Sequence, residues 1–315
     1  MKRIVALFLG LALLGCTAKD GSSMRDFMKD NGKVKVLSTI AMIDDLVKEV
    51  GGNHIDHICL VTGEIDPHSY ELVKGDAEKF MRADVVFSNG LGLEHGASVQ
   101  MHLRNHKKSV VLGDHLYRQC RQELLMVDGQ IDPHVWMDVA LWARNIDPIV
   151  ATLSAFDPKH AKIYEDRGSL LKETLLDQHA AIYTQMQAIP EEKRFLVTSH
   201  DAFNYFARRY LANQEELLTH SWKKRVAAPQ GLAPDAQLSP LDIQDIIEHL
   251  ERHSINVVFC ESNVSLDALK KVIDASNKRG LKVTMIDKPL YGDAMASSYI
   301  EMMRHNAKVI KQSIE

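Results

Sequence analysis

Asp-Pro-His occurs twice in the chain, as Asp66-Pro67-His68 and Asp132-Pro133-His134, and a third histidine stands in Ser199-His200-Asp201 after an apolar run. Imidazole ligates zinc and other first-row metals, and ligands 66 residues apart in sequence can meet only in a folded domain. Any one of the 15 histidines would ordinarily be a solvated or satisfied side chain, so the weight lies on the constellation. It points to a metal site assembled from separate loops. A closed, near-tetrahedral site needs a fourth ligand, and the C-terminal part of the chain offers Glu261, Asp287 and Asp293. Asp293, in the glycine-containing loop Tyr291-Gly292-Asp293-Ala294-Met295, is the choice. Asp287 lies closer to a strand end, where it can cap or pair with Lys288. Glu261 follows Cys260 at a strand end and can orient a ligating histidine from outside.

Such loops need a scaffold, and the pattern of apolar runs supplies one. Val34–Leu37, His57–Val61, Asp84–Phe87 and Ser109–Leu112 are short, rich in β-branched residues, and each is followed by a loop or helix-like segment. The same pattern returns at Arg194–Thr198, Asn256–Cys260 and Leu281–Met285. Strands alternating with helices predict parallel sheets, and ligands bind at the carboxyl ends of such strands. His68 and His200 both follow strands, and Asp138 can cap a helix from Val139, which leaves His134 on a loop as well. Between Asp157-Pro158 and Ile189-Pro190 the apolar positions Ile163, Tyr164, Leu170, Leu171, Leu175, Ile182, Met186 and Ile189 suit one long helix, the alternative being two shorter helices broken near Gly168. The expected divisions are therefore an N-terminal α/β lobe over 33–156, a linking helix over 157–190 and a C-terminal α/β lobe over 191–315. A metal shared by His68, His134 and His200 would lie in the cleft between the lobes.

The first residues read as an export signal: Met1-Lys2-Arg3, then an apolar stretch from Ile4 to Leu14 that is too short to span a bilayer. Leu13-Leu14-Gly15-Cys16 resembles a bacterial lipobox, so residues 1–16 are expected to end at a lipidated Cys16, with 17–32 as a polar tether. Cys59, Cys120 and Cys260 then remain, an odd number without a CxxC pair, which allows at most one disulfide. Cys59 and Cys260 sit in apolar runs and are expected to be buried and inert. A formal charge of −4 gives no electrostatic case for nucleic acid.

Across nearly the whole mature length the chain resembles the TroA-like metal-binding lipoproteins of ABC importers for zinc, manganese or iron. The resemblance is carried by both Asp-Pro-His motifs, the second extending through Val135-Trp136-Met137-Asp138. It is also carried by Gly90-Leu91-Gly92-Leu93-Glu94, Ser199-His200-Asp201-Ala202-Phe203, Ser239-Pro240, Phe259-Cys260-Glu261-Ser262 and Ser298 through Asn306. It implies two (β/α)4 lobes joined by a rigid helix and one divalent metal, Zn2+, Mn2+ or Fe2+, held by His68, His134, His200 and Asp293. It further implies a monomer on the periplasmic or cell-surface side of a bacterial membrane that delivers the metal to an ABC permease with a separate ATPase subunit. The chain has no long histidine-rich acidic loop, which leaves the metal open. Its segment Asn213–Gln237, with Lys223-Lys224-Arg225, is longer and more basic than the family pattern and is expected to be a solvated surface loop.

Other classes fit less well. Gly90, Gly92 and Gly96 have the spacing GxGxxxG, which is not a dinucleotide fingerprint, and without GxxxxGK[ST] the chain would not hydrolyse ATP itself. A zinc-dependent hydrolase would keep one coordination position open for water, whereas three histidines and an aspartate fill the site, and HExxH is absent. A surface adhesin suits the anchor but does not require inward-placed ligands. His102 and His106 share a helix face with Arg104, Lys107 and Lys108 close by and read as solvated.

Overall fold

A computed structural model describes residues 24–234 and 238–314; the signal segment and Cys16 lie outside the described residues. Four short parallel strands, β1 Val34–Ser38, β2 Ile55–Cys59, β3 Val85–Ser88 and β4 Ser109–Val111, form one sheet in the order β2-β1-β3-β4. Every residue of β1 is buried, because helices cover both faces. That includes Lys35, whose ammonium is held by Asp56 and Asn31. The alternation of Val34-Lys35-Val36 therefore marks a buried ion pair and not a solvent face. Residues 24–28 of the expected tether form a short helix that inserts Phe27, fully buried, among Leu37, Phe80 and Val86. The apolar ring is worth more in the core than on a tether.

A hairpin, β5 Met126–Val127 and β6 Gln130–Ile131, precedes the second histidine loop. Its turn is Asp128-Gly129, both with positive φ, the conformation that a two-residue hairpin demands. Asp157-Pro158 starts a single 3-10 turn, and the helix Ala161–Gln187 then runs unbroken for 27 residues, about 40 Å. Tyr164, Gly168, Leu175, Ile182 and Met186 make its buried stripe, while Leu170 is exposed. Gly168 does not break the helix; it lets Ile146–Phe156 pack close, since a Cβ there would stand 2.5 Å from Val150 Cγ2.

Beyond the linking helix the strands are hydrogen-bonded as two parallel pairs, β7 Leu196–Val197 with β8 Val226–Ala227, and β9 Val257–Glu261 with β10 Thr284–Leu290. β7 lies against β9, and a bridge between His200 and Gln230 continues the first pair. β10 begins three residues later than the apolar run Leu281–Met285 suggests and continues to Leu290, so Asp287 and Lys288 are exposed strand residues. The helix Pro240–Arg252 starts at Ser239, whose side chain and that of Asp242 form a capping box, with proline in the first turn.

The segment 213–234 is not a solvated loop. Asn213 and Glu216 cap a helix over Gln214–Thr219, and Arg225 is buried, 2.7 Å from Glu216 and stacked over the Phe195 ring. A guanidinium paired with a buried carboxylate and an aromatic face is satisfied in the interior, which charge counting along the chain cannot show. One apolar core runs through both lobes, joining Val36 and Trp142 to Leu196 and Met302 across the linking helix. Cys59, Cys120 and Cys260 are all buried free thiols.

Candidate metal centre

The two Asp-Pro-His triplets fold alike. Asp66 Oδ1 accepts the backbone N–H of His68 at 2.8 Å, and Asp132 Oδ1 accepts that of His134 at 2.9 Å. Proline between them has no N–H to compete and fixes the turn. Each triplet thus aims an imidazole off a rigid bend. His200 leaves β7 through Ser199, and Asp293 lies on the loop that follows β10. One ligand atom from each of His68, His134, His200 and Asp293 lies within 4.8 Å of every other, and all four residues are buried. His134 Nε2 is 3.2 Å and His200 Nε2 3.1 Å from the Asp293 carboxylate, and the Nε2 atoms of His68 and His134 are 3.2 Å apart.

Of the three carboxylates weighed from sequence, the structure brings one into the cluster of ligand atoms and a second behind one of its imidazoles. Asp293 has its side chain fully buried among them, and Asp287 is exposed on β10. Glu261, the last residue of β9, stands behind His200, with Oε2 2.8 Å from its Nδ1 and Oε1 accepting the backbone N–H groups of Ser199 and His200. Asp132 does the same for His134, 2.7 Å from Nδ1. A carboxylate on Nδ1 fixes that nitrogen as the donor and leaves Nε2 free to bind a cation.

Sequence reasoning missed the ring-orienting role of Asp132, although its place in the triplet was a signal, and it gave the loop after β3, noted only for its Gly90–Glu94 motif, no part in the site. Glu94 in that loop accepts from Thr39 Oγ1 and from the backbone N–H groups of Asn89 and Gly90 at 2.6–2.9 Å. The loop then reaches both histidine turns. Asn89 Nδ2 donates to Pro133 O at 3.0 Å and the His95 N–H to His68 O at 3.2 Å. On the opposite wall Trp136 Nε1 donates to Gly292 O at 3.0 Å, and Asn306 bonds Tyr291 on both sides, which pins the Asp293 loop. Gly292 is required there, since a Cβ would fall 2.1 Å from Glu261 Oε2.

Burial lowers the proton affinity of His134, but the charges of Asp132 and Asp293 outweigh it and raise its pKa to about 9. His200 is raised well above the usual histidine value in the same way by Glu261 and Asp293, and the two imidazoles hold the Asp293 carboxyl well below its usual range. The Asp293 oxygens and His200 Nε2 face only one another and the neighbouring imidazoles, with no partner from outside the cluster. Ring nitrogens and carboxylate oxygens turned on one buried centre suit a divalent cation, which would satisfy them together.

Two parallel-stranded lobes joined by one long helix, with a buried cluster of three imidazoles and a carboxylate, are the architecture of a metal-binding solute-binding protein. The chain belongs to the ZnuA family, described as "Zinc-uptake complex component A periplasmic", which it matches over residues 36–313. It is 36% identical over 307 residues to the metal-binding protein YtgA of Chlamydia trachomatis, covering 96% of this chain and 93% of that one. The crystal structure of Fe(III)-bound YtgA superposes with a TM-score of 0.86 at 35% identity, covering 90% of this chain and 98% of that chain. The manganese-binding lipoprotein MntA of Bacillus subtilis is 31% identical over 98% of this chain and 97% of its own length. The periplasmic zinc-binding protein TroA of Treponema pallidum superposes with a TM-score of 0.80 at 29% identity, covering 90% of this chain and 99% of that chain.

Proposed function

We propose that the chain captures one divalent transition metal with His68, His134, His200 and Asp293 and presents it to an ABC permease driven by a separate ATPase subunit. The observation that carries this reading is the buried convergence of the four side chains, with Asp293 and His200 Nε2 left without other partners. Asp132 and Glu261 orient His134 and His200. The lobes, 33–156 and 191–315, close over the metal on the linking helix of 157–190, and the protein works as a monomer.

The relatives named above are an iron(III)-bound, a manganese-binding and a zinc-binding protein, so membership narrows the cargo to Zn2+, Mn2+ or iron. Affinity alone follows the ligand set and the metal series, not the cargo. Calorimetric titration of chelator-stripped protein tests the reading: one tight site per chain is expected, and no binding, or several equal sites, would contradict it.

The export segment and Leu13-Leu14-Gly15-Cys16 support a periplasmic or cell-surface protein anchored to a membrane through a lipid on Cys16. Cys16→Ser is expected to abolish acyl labelling and release the protein from membranes. Unchanged labelling and retention would remove the lipoprotein assignment.

A further inference from the structure

The run Ser298 through Asn306 contributes none of the four clustered side chains, yet its second residue reaches the site from behind. Tyr299 opens the helix Tyr299–Ile314, is 1% exposed, and donates its hydroxyl to Trp136 O at 2.6 Å. Trp136, fully buried, lies in the 3-10 turn Val135–Met137 that directly follows His134, and its Nε1 donates to the carbonyl of Gly292, the residue before Asp293. The C-terminal lobe thus holds Trp136 at both its carbonyl and its indole. The Tyr299 backbone N–H in turn donates to the buried Asp45 carboxylate at 3.0 Å, which fixes the start of this helix to the N-terminal lobe as well. The tyrosine ring packs 6.1 Å from that of Trp142, which stands 6.2 Å from Trp136.

We propose that Tyr299 is a positioning residue for the metal: through Trp136 it sets the separation of His134 and Asp293, one ligand from each lobe. This rests on the metal-binding reading above. Trp136 stands two residues from one ligand and Gly292 one residue from the other, and three hydrogen bonds cross between the lobes in the same place. Inside this clamp His134 Nε2 is 3.2 Å from the Asp293 carboxylate. Ligands bind a cation tightly when they are held in place before it arrives, because little ordering is then left to be done on binding. Removing the hydroxyl frees the turn that carries His134 from the helix beyond Asp293, and the loss appears as weaker binding and faster release.

Zn2+ competition against a chromogenic chelator and the visible spectrum of the Co2+-loaded full-length protein test this together. Tyr299→Phe keeps the ring and removes the hydroxyl; it should weaken Zn2+ binding roughly tenfold, mainly through faster dissociation, and alter the Co2+ bands, which report ligand geometry. Trp136→Phe, which loses the bond to Gly292, should do the same. The two changes combined should cost less than the product of the separate losses, because they break one clamp. Tyr164→Phe is the control: its hydroxyl, on the linking helix, also belongs to a buried tyrosine and donates to Asp157 at 2.7 Å. That variant should lower the melting temperature and leave Zn2+ affinity and the Co2+ bands unaltered. Unchanged Kd and bands in Tyr299→Phe, an equal loss in Tyr164→Phe, or fully additive losses would overturn the proposal. Should Tyr299→Phe fail to fold, Trp136→Phe decides by the same two readouts. Absence of Zn2+ and Co2+ binding by the unaltered protein would instead overturn the metal-binding reading.

Discussion

The molecule holds two groups of buried or half-buried histidines with opposite proton affinities. Between the lobes, burial lowers the pKa of His134 but Asp132 and Asp293 overcome it and carry it up to about 9. On the helix Pro240–Arg252 and just past its end, His249 is pulled down to about 4 by burial, then by His253 and Arg252; His253 is lowered by burial and by Arg252, Lys224 and Arg225. The rings pack closely in both places: His134 and His200 centroids are 5.3 Å apart, His249 and His253 4.8 Å. What differs is the sign of the surrounding charge. Acidic partners suit one group to the cation proposed for it, and basic partners leave the other a packing element against Phe195.

Removing the central carboxylate should have the largest effect. Asp293→Ala leaves three imidazoles without the negative charge that favours a cation and is expected to weaken metal binding by at least about 100-fold. Asp287→Ala, at an exposed strand position, should leave it unchanged. Calorimetry on both variants checks this, and a normal Kd for Asp293→Ala would dissolve the distinction between the two histidine groups.

Glu261→Gln should cost roughly 10- to 100-fold. With its amide oxygen accepting from Ser199 and His200 backbone N–H groups, the glutamine turns its NH2 toward His200 Nδ1. That favours the tautomer with a proton on Nε2, where the metal should bind. Zinc competition assays should show the loss, while the melting temperature of the metal-free variant falls little.

Acidity separates the groups further. Metal must displace the His134 proton, so affinity should rise by about tenfold per pH unit per proton released, from pH 6.5 up to about 9. In metal-free protein the raised His134 pKa contributes stability that is full below its unfolded value near 6.5 and is lost as pH rises through about 9. The depressed His249 pKa acts oppositely: its contribution is present above about 6.5 and is lost as pH falls through about 4. Denaturant melts across pH should show both limbs. His249→Leu, the smallest effect on function, should flatten the acid limb and leave metal affinity where it was.

Much of this architecture was legible before folding. β-branched runs separated by helical segments specify parallel strands, and repetition of Asp-Pro-His marked two of the three histidines that meet. Other features are settled by neighbours that sequence spacing does not reveal. Asp287 and Asp293 are six residues apart, and their fates diverge because β10 continues to Leu290, which leaves Asp287 on its exposed surface and Asp293 on the loop beyond. Arg225 sits in a basic run yet is buried, because Glu216 and Phe195 arrive from elsewhere. Phe27 lay in a polar stretch whose one large aromatic ring was the overlooked signal.

The central claim is that one metal sits on four named side chains between the lobes. Anomalous diffraction from zinc-loaded crystals, collected on both sides of the zinc absorption edge, tests it most directly. The account predicts a single strong peak bounded by His68, His134, His200 and Asp293. A peak centred elsewhere, or density held by Asp287 or by the His249–His253 pair, would contradict it.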